Sequence, residues 1–342
     1  MLYLYGEFSF KFCGKRVRRS PWYCMDKKIR ILAVAGATAS GKSSLALELA
    51  RLYGGEIVSC DSMQVYKRMD IGTAKPTAEE RAAIPHHMID IAEPTENYSC
   101  ADYIKAAARA IEDISGRGKL PIICGGTGLY LDALLRGSDF SEDSTPDEAV
   151  RRELFEFAET HGKDALFAEL QRIDPESAAA IHPNNVKRVI RAIEIYRTSG
   201  VTKSELDRRS LESPSKYDAA VIALRYNDRE LLRRRIDARV DAMIAMGLEA
   251  ETRALMSEGV FEKNTTAAQA IGYKEFLGYF RGESTFEECA ELLKVATRKY
   301  AKRQMTWFGG KKYVEWIDAD TDMGVKSFKE IVNSASKLFF GD

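Results

Sequence analysis

The chain has 342 residues, 45% of them hydrophobic, enough for one large domain with an insertion or for two modest domains around a sizeable core. Lys plus Arg and Asp plus Glu number 51 each, so no global charge advertises a polyanionic partner, and any such surface has to come from local segregation. The six cysteines (Cys13, Cys24, Cys60, Cys100, Cys124 and Cys289) form no CxxC or Cys/His pattern with zinc spacing, which reads as free thiols in a reducing cytoplasm; no apolar run reaches the length of a membrane span.

Residues 1–24 read as an extension contributing little to the fold. Their basic cluster follows the apolar residues, unlike a secretion signal, and Met25-Asp26-Lys27-Lys28 leads straight into IRILAVAG. Ile29 to Ala35 is a β-branched apolar run of the type that becomes a buried parallel strand. Gly36 to Ser43 breaks it, and SLALELARLYG predicts an amphipathic helix ending at Gly54-Gly55. Ile57-Val58 predicts a second strand leading to Asp61, Ala101 to Ile114 a helix, and Leu120 to Cys124 a strand ending at Gly125-Gly126. Strand, glycine turn and helix in repetition predict an α/β fold of the P-loop NTPase-like kind, a doubly wound parallel sheet with helices on both faces.

From Ser141 the chain turns charged and helical in period, with no strand-like run. This predicts a helical insertion over 141–182, leaving 25–140 and 183–342 as the α/β core with its C-terminal helices. Asn184 to Tyr196 places Val186, Val189, Ile190 and Ile193 at helical spacing, so that helix packs on something. Tyr217 to Leu224 predicts a strand; Arg229 to Met246, Glu249 to Ser257 and Thr285 to Arg303 predict long helices.

Between the first strand and helix, GATASGKS fits GxxxxGK[ST] in the context that gives the motif meaning. Gly36, Thr38, Ala39, Ser40 and Gly41 form the loop whose amides converge on phosphate oxygens. Lys42 adds a point charge, and the Ser43 hydroxyl suits a Mg²⁺ shell. The motif does not say which phosphate is held. No Asn-Lys-x-Asp guanine reader is present, the best strand ends in Gly-Gly-Thr rather than a Walker-B aspartate, and Met88-Ile89-Asp90 is a poor substitute. Asp61, at a strand end where open sheets bind ligands, suits a general base, a metal ligand or a turn cap. The adjacent His86-His87, like His161 and His182, lack partners for a metal set and read as structural.

Several segments together resemble one family, the tRNA dimethylallyltransferases (tRNA isopentenyltransferases). They are GATASGKS, DSMQVYKRMDIGTAKP at 61–76, PHHMID at 85–90, GGTGLYLDALL at 125–135, HPNNVKRVIRAIEIY at 182–196, RIDARVDAMIAMGLEAE at 235–251, AIGYKE at 270–275 and ATRKYAKRQMTWF at 296–308. They occur in the family's order and cover about Ile31 to Phe308. The chain lacks the C-terminal zinc finger of eukaryotic members and so resembles the bacterial type; Ala37 stands where the family more often has proline.

The resemblance implies transfer of a dimethylallyl group from dimethylallyl diphosphate to the exocyclic amine of the adenosine 3′ of the anticodon, in tRNAs reading codons that begin with U. The loop would then hold the donor's diphosphate, with Mg²⁺ at Ser43, and a base-reading motif is not needed. By resemblance Thr127 and Arg239 face the diphosphate, with Arg235 a weaker candidate, and Asp61 orients or deprotonates the amine. Ser62, Met63 and Gln64 would contact neighbouring RNA, while Thr73 and Lys75 shape the same site. Lys187, Arg188 and Arg191 on one helix, and Arg298, Lys302 and Arg303 on another, would meet tRNA phosphates. Gln269, Gly272, Tyr273, Lys274 and Gln304 would add contacts near the anticodon loop. A monomer is expected. Two other readings stay open on the residues alone: a P-loop kinase of a nucleoside or small metabolite, with Arg151, Arg152 and Arg172 in a lid, and an RNA-binding protein with a relic phosphate loop.

Overall fold

The computed structural model of the chain describes residues 28–136, 147–212, 214–262, 265–321 and 324–340. The expected extension 1–24 and the left edge of the insertion, 141–146, lie outside them. Six strands, β1 (Ile29–Gly36), β2 (Gly55–Ser59), β3 (His86–His87), β4 (Leu120–Cys124), β5 (Tyr217–Arg225) and β6 (Val314–Asp318), form one parallel sheet in the order β3-β2-β4-β1-β5-β6.

Alternation along β1 decides what covers each face. Leu32 and Val34 join Leu45 and Leu49 of the helix Lys42–Tyr53 and Ile331 of the helix Phe328–Phe340 on one side. Ile31, Ala33 and Ala35 meet Tyr103 and Ile111 of the helix Cys100–Gly116 and Leu131 of the helix Gly128–Arg136 on the other. Each fully buried Leu or Ile contributes about 1.5–3 kcal/mol, so both layers hold the sheet. The fold is therefore the doubly wound α/β arrangement that the strand–turn–helix pattern predicts. Sequence reasoning omitted β6 and the last helix. β6, VEWID, buries only Val314 and Ile317 at the sheet's edge, and Glu315 and Asp318 conceal the strand.

The helices Glu148–His161, Lys163–Ile173, Pro175–Ala180 and Val186–Ser199 enclose an apolar cluster of their own, including Leu154, Leu166, Leu170, Val189 and Ile193. That cluster runs across position 182, so the helix Val186–Ser199 packs with the preceding three. At its centre Glu194, fully buried, pairs with Arg151 and Arg191 and accepts the Asp147 amide at 2.8 Å. Another cluster joins the segment after Asp61 (Val65, Tyr66, Met69) to the C-terminal helices through Val240, Phe276 and Leu293. This seats the helices Arg229–Ala245 and Phe286–Gly309 over the carboxyl ends of the strands.

Candidate active site

β1, β2 and β4 deliver three turns to one place. β1 runs into the phosphate loop, where Gly36, Ala39 and Gly41 take positive φ of 130°, 61° and 96°. At Gly36 a Cβ would sit 3.0 Å from the Leu224 carbonyl, so both conformation and space require glycine. The following helix begins at Lys42 with no side-chain cap, which leaves its first amides and the positive end of its dipole to an anion. β4 ends in Gly125-Gly126. A Cβ on Gly125 would lie 2.0 Å from the Cys60 carbonyl, so the β4 turn can lie directly against the strand end that carries Asp61.

Gln304 fastens two of these turns. Its Oε1 accepts the Thr38 amide at 2.8 Å and its Nε2 donates to the Gly126 carbonyl at 3.0 Å. Thr127 fastens the third: its Oγ1 accepts the Ser62 amide at 3.0 Å, and its own amide donates to the Cys60 carbonyl at 3.1 Å. Asp61 accepts the Met63 amide at 2.9 Å on Oδ1, and among the described residues its carboxylate has no other hydrogen-bond donor. The turn-cap reading of Asp61 therefore accounts for one oxygen and leaves the other for chemistry.

These groups line a cleft of about 440 Å³. Lys42, Ser43, Asp61, Arg239 and Tyr300 form its polar floor, while Leu47, Ile57, Val240, Met243, Ile271 and Leu293 supply apolar wall. A second cavity of about 430 Å³ lies against the same loop, bounded by Ala39, Lys42, Ser43, Arg235 and Arg239. Burial and the neighbouring Arg239 charge pull the Lys42 ammonium down to about 8, with Cys124 and Asp61 opposing. Burial also lowers Arg239, against the attraction of Asp61; a guanidinium stays charged regardless. Burial pushes the Tyr300 hydroxyl up, and the Asp61 charge adds to the shift. Two partly buried cations facing one carboxylate make a site short of negative charge, the condition under which a diphosphate is attracted.

A pH dependence follows. Below about 8 the Lys42 ammonium is intact; above it the lysine loses its proton unless an anion restores it. Inorganic diphosphate binding should weaken from pH 7.5 to 9 relative to Lys42→Ala, with proton uptake at the upper end. Calorimetry in buffers of different ionisation enthalpy checks this, and equal pH profiles for the two proteins would contradict it.

The residues expected at the RNA face divide sharply. Lys187, Arg188, Lys302, Arg303, Gln269 and Lys274 are exposed; Arg303 also lies over the Tyr300 ring, 5.6 Å from its centroid. Others turn inward. Tyr273 is fully buried, its hydroxyl donating to Glu251 at 2.7 Å, so it shapes the wall instead of presenting a surface. Gln304 is buried and its amide is spent on the two turns. Gln64 lines the cleft with its amide donating to the Thr73 and Ala74 carbonyls and accepting from Ser59. Arg298 is paired with Asp237, and Arg191 with Glu194. Gly272 is buried, its Cβ position 3.2 Å from the Gly72 carbonyl. Arg235 donates to the Ala39 carbonyl at 3.1 Å, holding the loop from outside.

Lys75 is almost wholly buried between Asp70 and Asp90, and Asp90 also pairs with Arg81; this spends the aspartate of Met88-Ile89-Asp90 on structure. His86 bonds the Ile84 carbonyl and His87 bonds Glu56. Cys60, Cys100, Cys124 and Cys289 are free thiols. Sequence reasoning missed Glu251, Tyr300 and the apolar wall. Tyr300 lies in a basic run that reads as surface, and the wall residues come from five separate segments.

The parallel sheet with its phosphate loop at the β1 carboxyl end defines the class, a P-loop α/β protein whose cleft pairs phosphate-binding groups with a carboxylate and an apolar wall. Comparison with known proteins narrows it. The IPP transferase family model matches residues 64–311, and the isopentenyl transferase model matches 29–92. The chain is 44% identical over 314 residues to a tRNA dimethylallyltransferase of Thermoanaerobacter sp. (strain X514), covering 92% of this chain and 98% of that one. A tRNA dimethylallyltransferase of Geobacillus thermodenitrificans is 48% identical over 289 residues, 84% of this chain and 90% of that one. Among solved structures, a tRNA isopentenylpyrophosphate transferase from Bacillus halodurans superposes with a TM-score of 0.64 at 41% identity, covering 90% of this chain and 98% of that one. A eukaryotic dimethylallyltransferase acting on tRNA gives a TM-score of 0.73 at 33% identity over 86% of this chain and 74% of that one. The chain belongs to the IPP transferase family.

Proposed function

We propose that the protein is a tRNA dimethylallyltransferase. It transfers the dimethylallyl group of dimethylallyl diphosphate to the exocyclic amine of the adenosine 3′ of the anticodon, in tRNAs reading codons that begin with U. One observation carries the assignment of roles: the phosphate loop, Arg239, Asp61 and an apolar wall share a single cleft. The allylic C–O bond breaks and a C–N bond forms. Diphosphate leaves with the bonding electrons, and the amine sheds a proton. Lys42, Arg239 and the loop amides receive the developing negative charge, and Asp61 receives the proton or aims the amine. The wall from Leu47 to Leu293 accepts the five-carbon group and excludes water from an allylic centre that water would otherwise capture.

A divalent ion fits the donor set. Ser43 offers an exposed hard-oxygen ligand to both cavities and would hold a Mg²⁺ together with the donor's phosphate oxygens. When bound it neutralises leaving-group charge. The exposed Lys187, Arg188, Lys302 and Arg303 would meet the anticodon stem-loop, and the target base would leave its stack to enter the cleft. The free thiols agree with a cytoplasmic enzyme, and we take it to act as a monomer. Among the described residues no helix is long and apolar enough to cross a membrane.

Incubating the protein with Mg²⁺, dimethylallyl diphosphate and unmodified tRNA should add the isoprenyl mass to adenosine. Phosphoryl transfer from ATP without prenylation would overturn the assignment in favour of a kinase. Affinity for tRNA should fall steeply with salt, by about 10³-fold or more between 50 and 200 mM if six phosphates are met. A flat response would remove the basic helices from the interface.

A further inference from the structure

One carboxylate outside the phosphate loop collects an unusual number of donors. Glu251, on the helix Leu248–Ser257, accepts the backbone amides of Asp70 at 3.1 Å, Ile71 at 2.9 Å and Gly72 at 3.1 Å. It also accepts the Tyr273 hydroxyl at 2.7 Å. Three successive amides converging on one anion form a nest, a concavity that needs a full negative charge to be satisfied.

The joint is packed as well as bonded. Gly72 lies flat against the Tyr273 ring, where a Cβ would come within 2.5 Å. Just beyond the nest, the Thr73 and Ala74 carbonyls each accept from the Gln64 amide at 3.2 Å, and Gln64 in turn accepts from Ser59 at the end of β2. A chain of contacts thus runs from Glu251 through the 70–74 turn to Gln64, three residues from Asp61. No step of it touches the phosphate loop.

We propose that Glu251 is a positioning residue for the acceptor half of the site. Its charge fixes the 70–74 turn, and the turn sets Gln64 and the Asp61 strand end against the incoming adenine. The donor half stands independently on Gln304 and the loop. This rests on the prenyl-transfer reading, which identifies the acceptor as the partner of Asp61.

Glu251→Gln keeps size and one acceptor oxygen but aims an amide NH₂ at N–H donors, so the nest cannot be satisfied. Turnover with tRNA should fall about 10–100-fold, with KM for dimethylallyl diphosphate unchanged within about twofold. Inorganic diphosphate should bind with unchanged stoichiometry. Hydrogen exchange should quicken about tenfold or more in peptides spanning 61–76 and stay at the wild-type rate in 36–43. Tyr273→Phe removes one donor of four and should give a milder loss of the same kind, about threefold; it serves as the test if Glu251→Gln fails to fold.

Diphosphate stoichiometry falling in step with activity in both variants would reduce Glu251 to a general fold element and overturn the proposal. Wild-type turnover and exchange in both would overturn it too. If the wild-type protein prenylates no tRNA, the enzymatic reading fails by itself, and the exchange pattern still decides whether Glu251 governs the 61–76 segment separately from the phosphate loop.

Discussion

Asp61→Ala is expected to lower turnover by about 10²–10⁴-fold while tRNA affinity stays within about threefold, because general acid–base groups contribute on that scale and phosphate contacts carry most of the affinity. The alanine variant retains the Cys60 main-chain bonds, which hold the turn through the Cys124 carbonyl at 2.7 Å and the Thr127 amide at 3.1 Å. What disappears is the carboxylate and its bond to the Met63 amide. Asp61→Asn separates the two uses. The amide oxygen can still accept from Met63, so the turn survives, but no base remains. If Asp61 takes the proton or accepts from the amine to aim it, both variants fall together, because the asparagine would turn an NH₂ donor toward the amine. If the asparagine enzyme turns over near the wild-type rate, Asp61 serves only to hold the turn through Met63. Single-turnover prenylation and filter binding of tRNA measure the two quantities.

Arg239→Ala is the second large effect, about 10²–10³-fold in turnover, the usual loss when one preorganised donor to a developing anion is removed. Its surroundings distinguish it from the other arginines of the helix Arg229–Ala245. Arg233 pairs with Glu230 and both are exposed, Arg234 is exposed, and Arg235 is engaged with the Ala39 carbonyl. Arg239 lines both cavities and is buried enough to feel Asp61. Arg239→Lys should recover only part of the loss, since a lysine cannot present the planar fork that grips two phosphate oxygens. Arg234→Ala, on the exposed face, should leave turnover within about twofold. Equal losses at positions 234 and 239 would show that general positive potential matters rather than a placed donor.

Most of the frame was legible because the core strands are apolar runs, and β1 and β4 close in glycine turns. GATASGKS and the ordered family segments carried the reading further, to Asp61 and Arg239, which line the cleft, whereas Thr127, expected to face the diphosphate, is engaged with Ser62 and Cys60 and lines neither cavity. Two kinds of feature escaped. β6 lies at the sheet edge and buries only two of its five residues, where β1 buries six of eight, so its hydrophobic signal is weaker. Side chains that work by turning inward look like surface residues in a linear pattern. Gln304 sits in KRQ and Tyr300 in KYAK, runs that read as solvated charge, yet the helix period places both against the cleft, with the exposed Arg303 also lining it, while Lys302 faces out. Conversely, Arg298 looked free and is held by Asp237. Glu251 left no signal, because a carboxylate that binds backbone amides has no sequence partner to reveal it.

The Gln304 contact also bears on biosynthesis. Thr38 and Gln304 are 266 positions apart, and the strand carrying the phosphate loop gains its β5 neighbour only after residue 225. A nascent chain still emerging from the ribosome has made the phosphate loop early but lacks the helix that braces it. The donor site is thus assembled only after position 304 has been made, and a chain cut short before it would be left with a loop sequence that no longer has its support.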